Sequence, residues 1–246
     1  MNTQTLKVLS IDFDYFQHTN KDTVQTCYPD GIDLNTELSS LVWSGYYANP
    51  KTEDQLKNVA LLTDEFALLQ QILSSDTNIK MTAPVLITNS HVHIYDFIHR
   101  CARQFHADKI NLVNIDMHHD ILNNNDELDC GNWISFIAKD FKDKCDISWI
   151  CNPTSLECYG LKEEGILPVD TTLKAIQDCK FDIVFLCRSD NWLPPHLDAY
   201  FHQIVMLLQK RFRFVSISDD VKHPRDMEPL IQMQKQCIHH ILTQTT

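Results

Sequence analysis

Glycine is scarce, with 5 residues in 246, too few for a Gly-rich phosphate-cradling loop or a flexible linker. Long apolar runs are absent as well. None approaches the roughly 18 residues of a membrane span, and the opening residues, MNTQTLKVLSIDFDYF, lack the basic and apolar regions of an export signal. Basic charge is in short supply: Lys and Arg number 21 against 33 Asp and Glu, for a net charge of -12. The basic clusters, such as Lys210-Arg211 with Arg213 beside a predicted strand, are short, so nucleic acid is not expected as a partner. Nine cysteines form no CxxC pair. An odd count without an export signal points to reduced thiols and a cytoplasmic protein with no membrane contact.

What is present is a regular alternation of strand-length and helix-length segments. The runs 6–11, 84–88, 110–115, 147–151, 183–187 and 212–217 are almost continuously apolar, as parallel strands buried on both faces must be. Helical spacing covers 54–74, 92–105, 133–141, 171–179, 195–210 and 228–242. Leu56, Val59, Leu62, Phe66, Leu69 and Leu73 make one stripe along the first of these. The pattern predicts an α/β fold, a three-layer αβα sandwich with a mostly parallel sheet, formed by one domain over 1–246. Residues 17–53 look irregular and polar with interspersed aromatics (Tyr28, Trp43, Tyr46, Tyr47), a surface insertion able to wall a site.

In such sheets ligands collect at the carboxyl ends of the strands, and polar residues crowd there. Asp116-Met117-His118-His119-Asp120 directly follows the run 110–115. Alternate residues leaving a strand share a side, which groups Asp116, His118 and Asp120 and turns His119 away. Two carboxylates and an imidazole held together favour a cation such as manganese, iron or zinc; solvated loop charges or a helix cap are the plainer alternative. Asp12 and Asp14 follow the first strand with the same spacing and would complete a two-metal site, although a turn or cap also explains an isolated DxD. His91 begins a helix after the run 84–88, where a ligand could project, although a lone His there is more often a cap or surface residue. In Asp129-Cys130-Gly131-Asn132-Trp133, Asn132 offers a donor and an acceptor and Trp133 a flat wall, unless the segment is only a loop entering a helix.

Taken in order, IDFDYF, SHVHIYDFIHR, NIDMHHD and GNWI resemble the UPF0489-like peptide arginases of the arginase–deacetylase superfamily, over residues 8 to about 135. The resemblance implies an arginase-like fold with one metal motif moved to the N-terminus. It implies that Asp12, Asp14, His91, Asp116, His118 and Asp120 bind two manganese ions, which activate water for attack on a guanidinium carbon. Arginine in a ribosomally made precursor peptide would become ornithine with release of urea. Asp120 would relay the proton, with His93 or His119 as a further shuttle. Asn132 and Trp133 would meet the substrate, and Asp219 and Asp220 are the late carboxylates available to hold its guanidinium. Two departures stand out. Ile134 occupies the place where free-arginine arginases have a His, and Leu186-Cys187-Arg188-Ser189-Asp190 keeps one Asp and puts Arg188 in place of another.

A haloacid-dehalogenase-like, magnesium-dependent phosphohydrolase is the rival. It would use Asp12 as nucleophile, Asp14 as acid/base, Thr88 and Lys210 on the phosphate, and Asp219 and Asp220 on magnesium. It has no use for His91 or the segment from Asp116 to Asp120, and Tyr15-Phe16 stands where its motif has Thr or Gly.

Overall fold

Six parallel strands form the central layer of this computed structural model, which describes residues 4–29, 33–122, 127–159 and 170–244. In chain order the elements are β1 (Thr5–Asp12), β2 (Gln17–His18), α1 (Lys21–Cys27), α2 (Thr36–Ala48), α3 (Pro50–Lys57), β3 (Ala60–Leu61) and α4 (Thr63–Ser74). There follow β4 (Pro84–Thr88), α5 (His93–Gln104), β5 (Lys109–Asp116), α6 (Trp133–Phe141), β6 (Cys145–Cys151), α7 (Ser155–Cys158), β7 (Ile183–Cys187), α8 (Asp198–Arg211), β8 (Phe214–Ile217) and α9 (Glu228–Gln244).

The period-2 pattern of each strand feeds two cores. On one face Leu9 and Ile11 of β1, Val113 and Ile115 of β5 and Val184 and Leu186 of β7 pack beneath Phe66, Leu69 and Leu73 of α4 and Phe201, Ile204 and Leu208 of α8. On the other, Leu6, Val8, Ile110, Leu112, Ile183 and Phe185 meet Ile94, Phe97 and Ile98 of α5 and Trp133, Ile134 and Ile137 of α6. Helices therefore cover both faces, giving the three-layer αβα sandwich. No helix among the described residues is long and apolar enough to cross a membrane, and all nine cysteines are free thiols.

Sheet order is β6-β5-β1-β7-β4-β8. From β1 the chain moves toward the β8 edge to form β4, whereas from β5 it moves toward the β6 edge. The neighbours β1 and β5 thus part in opposite directions, which opens a crevice over their carboxyl ends. Register aligns Ser10 with Asn114 and Ile11 with Ile115, so Asp12 and Asp116 leave the sheet side by side.

Three expectations about elements change. The polar stretch 17–53 is largely helical, because Asn20, Asn35 and Asn49 are N-caps whose side chains accept from the backbone N–H of Thr23, Leu38 and Lys51. Its aromatics are core: Tyr28, Trp43 and Tyr47 are buried with Cys27 and Leu56, and Met227 and Ile231 pack against them. The stripe read as one helix over 54–74 is broken at 58–62, where Ala60 and Leu61 pair with β2 and the Leu62 N–H donates to the Phe16 carbonyl at 2.7 Å. The segment 171–179 keeps a single 3-10 turn, Leu173–Ile176, because Glu65 takes its leading donors, Thr172 Oγ1 and the Leu173 N–H.

Candidate metal centre

Asp12 and Asp116, the last residues of β1 and β5, stand at the crevice with Asp14, His91, His118 and Asp120. Asp12, Asp14, His91, Asp116 and Asp120 are each at most 4% exposed, while the His118 side chain is 25% exposed and marks the open side. His91 Nδ1 lies 3.2 Å from Asp12 Oδ2, 3.1 Å from Asp116 Oδ2 and 3.0 Å from Asp120 Oδ2. Beside this group, His118 Nδ1 lies 3.0 Å from Asp14 Oδ2 and 3.6 Å from Asp116 Oδ1. Donors set about 2.1 Å from one cation, at octahedral to tetrahedral angles, are separated by ~3.0–3.4 Å. Two donor sets, Asp12–His91–Asp116 and Asp14–Asp116–His118, are compact enough to hold a metal ion, and they share Asp116.

Local structure explains the grouping. Asp14 reaches the crevice from a 3-10 turn, Phe13–Phe16, rather than from an extended strand, and its Oδ1 accepts the Met117 N–H at 3.2 Å. Asp116 Oδ1 accepts the His118 N–H at 2.7 Å. Asp120 has a left-handed backbone, with φ of 52°, and its carbonyl accepts the Ile134 N–H at 3.2 Å. Such strained conformations collect at functional sites. Among the described residues, Asp14 Oδ2, His91 Nδ1 and His118 Nε2 are buried without a well-formed hydrogen bond, the state expected of atoms arranged for a ligand.

Burial followed by the charges of Asp14 and Asp116 raises the Asp12 carboxyl well above its ordinary value, and burial with Asp116 lifts Asp120 to about 7. For Asp116 burial acts upward too, but the adjacent His118 and His91 imidazoles outweigh it and hold the carboxyl low. Burial alone would lower both imidazoles. The surrounding acids instead raise His91 well above the usual value, and Tyr159 with Asp14 and Asp116 does so for His118. A cation binding among these groups would compete with protons for the same atoms. Metal affinity is expected to strengthen as pH rises above the ordinary imidazole value near 6.5 and to collapse on acidification. Titration calorimetry in buffers of different ionisation enthalpy should show proton release on binding; pH-independent binding without release would contradict the ligand set.

The remaining sequence candidates lie elsewhere or serve the fold. His93 is exposed at the start of α5, and His119 packs edge-on against Trp149, its Nδ1 accepting the Ile121 N–H. Asn132 is buried and uses its amide on its own loop, accepting from the Asp129 N–H and donating to the Glu127 carbonyl. Trp133 presents no open wall: it is fully buried, and its Nε1–H donates to Asp120 Oδ2 at 2.6 Å. Asp219 and Asp220 are exposed after β8, with β7 and β4 between that strand and β1, and Asp219 pairs with Lys222. The structure does not gather the phosphohydrolase set, since Thr88 donates its hydroxyl to the Ser90 carbonyl and Lys210 is exposed near the far end of α8.

Sequence reasoning missed several participants. Asp33 accepts from the Ser90 hydroxyl, next to His91, and burial raises its carboxyl. The rings of Tyr159 and Trp192 flank His118, with centroids 4.8 and 5.6 Å away. At the end of β7, Arg188 is fully buried and binds Asp190 through Nε and Nη2. That position holds a closed ion pair rather than a further ligand. Asp33 has no motif around it; only its partner gives it away.

No protein-family model, curated protein or solved structure matches this chain.

Proposed function

We propose that the chain is a hydrolase that holds two divalent ions, manganese foremost, and cleaves the guanidine C–N bond of arginine side chains in a ribosomally made peptide. The observation that carries this reading is the division of Asp116, whose Oδ2 faces His91 and whose Oδ1 faces His118. A carboxylate turned to two donor sets suits a pair of cations. Charge points the same way, because two divalent ions balance the carboxylates of Asp12, Asp14, Asp116 and Asp120, which would otherwise be costly to bury together. Oxygen ligands with one imidazole per set suit manganese, with iron and zinc as competitors. Bound ions would lower the pKa of a shared water and so supply a nucleophile near neutral pH.

The chain's own groups would do the rest. Asp120, whose Oδ2 lies 3.0 Å from His91 Nδ1 and accepts from Trp133 Nε1–H, would be placed to take and return a proton beside the ions. Asp33 takes the role first given to Asp219 and Asp220: a carboxylate braced by Ser90 beside His91 can receive a guanidinium. Tyr159 and Trp192 offer ring faces on the open side of His118 for the flat cation or its alkyl stem.

The test is mass spectrometry of an arginine-containing peptide incubated with manganese-loaded protein, with free arginine and a phosphomonoester in parallel. We expect urea and a loss of about 42 Da per converted arginine, the mass change of guanidine hydrolysis by activated water. An unchanged peptide with phosphate release would replace this reading by the phosphohydrolase. Efficient use of free arginine would keep the chemistry and remove the peptide preference.

A further inference from the structure

One pleat below the ligands, the interior of the sheet contains two polar side chains where apolar ones would pack better. Ser10 and Asn114 are register partners on β1 and β5, each two residues before an aspartate of the cluster, and both are fully buried. They lie on the face that Leu6, Val8, Ile110 and Leu112 fill with hydrocarbon. Both reach upward. Ser10 Oγ is 2.7 Å from His91 Nε2, and Asn114 Nδ2 donates to Asp116 Oδ2 at 3.1 Å. The His91 ring is confined sideways as well, stacked on Phe185 at 5.5 Å and leaning on Trp133 at 4.9 Å.

We propose that Ser10 and Asn114 are positioning residues that preset the metal ligands: Ser10 takes the Nε2–H of His91 so that Nδ1 presents its lone pair to the cation, and Asn114 fixes the rotation of Asp116 so that its oxygens divide between the two donor sets. The inference rests on the metal reading above. Burying a hydroxyl and a carboxamide in a sheet costs stability unless each is satisfied, and Asn114 Oδ1 has no hydrogen-bond partner among the described residues. A purely structural sequence gains nothing from these residues. Outer partners of this kind hold the tautomer and orientation of metal ligands, and their loss costs about 10–100-fold in metal affinity.

Separate readouts of stability and affinity make the test decisive. Ser10→Ala and Asn114→Leu are to be compared with wild type by thermal melting in chelator and by manganese titration calorimetry, with zinc as a second probe. Each variant should bind manganese about 10–100-fold more weakly than wild type while still melting cooperatively in chelator. Ser10→Thr, which retains the hydroxyl, should restore most of the affinity lost in Ser10→Ala. In the diamagnetic zinc-loaded protein, nitrogen NMR should place the His91 proton on Nε2 in wild type and show the ring loosened in Ser10→Ala. Variants that lose stability in chelator yet bind metal like wild type would assign the pair to folding and overturn the proposal. A wild-type protein that binds neither metal would instead overturn the metal reading itself.

Discussion

Asp116→Ala is expected to empty both donor sets at once and to lower turnover by at least about 10³-fold, since an activated water and several kcal/mol of charge stabilisation depart together. The expectation follows from geometry rather than from the residue's charge alone. Asp116 is the only residue common to the two sets, with one oxygen toward His91 and the other toward His118. Loss of His118 should have a narrower effect, because Asp12, His91, Asp116 and Asp120 are untouched and keep one ion. Elemental analysis after gel filtration should therefore give close to two metals per chain for wild type, about one for His118→Ala and almost none for Asp116→Ala. The ligands sit at strand ends above the packed layers, so circular dichroism should report an intact fold in each case. Equal metal content in the two variants would show that Asp116 does not bridge, and wild-type turnover in Asp116→Ala would remove it from the site.

Arg225→Met is expected to destabilise the protein by about 3–5 kcal/mol, the usual cost of leaving a buried charge without its partner. For a chain of this size that is a fall in melting temperature of roughly 6–20 °C. Arg225 and Asp198 have side chains 2% and 1% exposed and share a bidentate pair, Nη2 to Oδ1 at 2.6 Å and Nε to Oδ2 at 3.0 Å. The same guanidinium donates to the carbonyls of Asp190 and Leu193, tying the segment before α9 to the loop that leads into α8. Burial by itself would raise the Asp198 carboxyl, but the Arg225 charge outweighs it and holds the group below its ordinary value. Stability from this pair is accordingly present above the unfolded carboxylate pKa and is lost as pH falls through the folded one. Adding Asp198→Leu to Arg225→Met should recover part of the loss, because it removes the stranded charge while the carbonyl contacts stay broken. A melting temperature within 2 °C of wild type, measured at neutral pH in excess chelator, would contradict the assignment.

Much of the sheet was legible because its strands are buried on both faces, and a short apolar run bounded by polar residues suits a central strand better than a surface element. Pro84–Thr88 and Ile183–Cys187 match their predicted ranges. Helices were read less well where tertiary partners compete for the backbone. The apolar stripe through Leu56, Val59, Phe66 and Leu73 is real and buried, yet pairing with β2 splits it. Asn20, Asn35 and Asn49 read as loop, although the same side chains cap helices. A cap and a loop have the same composition and differ only in whether the next turn of backbone becomes helical.

Within the site, the sequence by itself determined which carboxylates and imidazoles lie close along the chain. Asp12 and Asp14, or Asp116, His118 and Asp120, are held within a few ångströms of each other by covalent spacing, but their directions come from the 3-10 turn Phe13–Phe16 and the left-handed Asp120, not from the period of a strand. Only the tertiary structure decided which of these clusters face each other. The placement of β1 between β5 and β7 brings Asp12 to Asp116 and lays His91 over Ser10, 81 residues earlier in the chain. It also decided what each polar group has left to offer. Asn132 is consumed by its loop and Trp133 by Asp120, Asp219 and Asp220 face solvent, and Asp33 meets the Ser90 hydroxyl beside His91. The physical reason is that a side chain's chemistry depends on its partners and its solvation, and both are set by contacts between segments that no local spacing encodes.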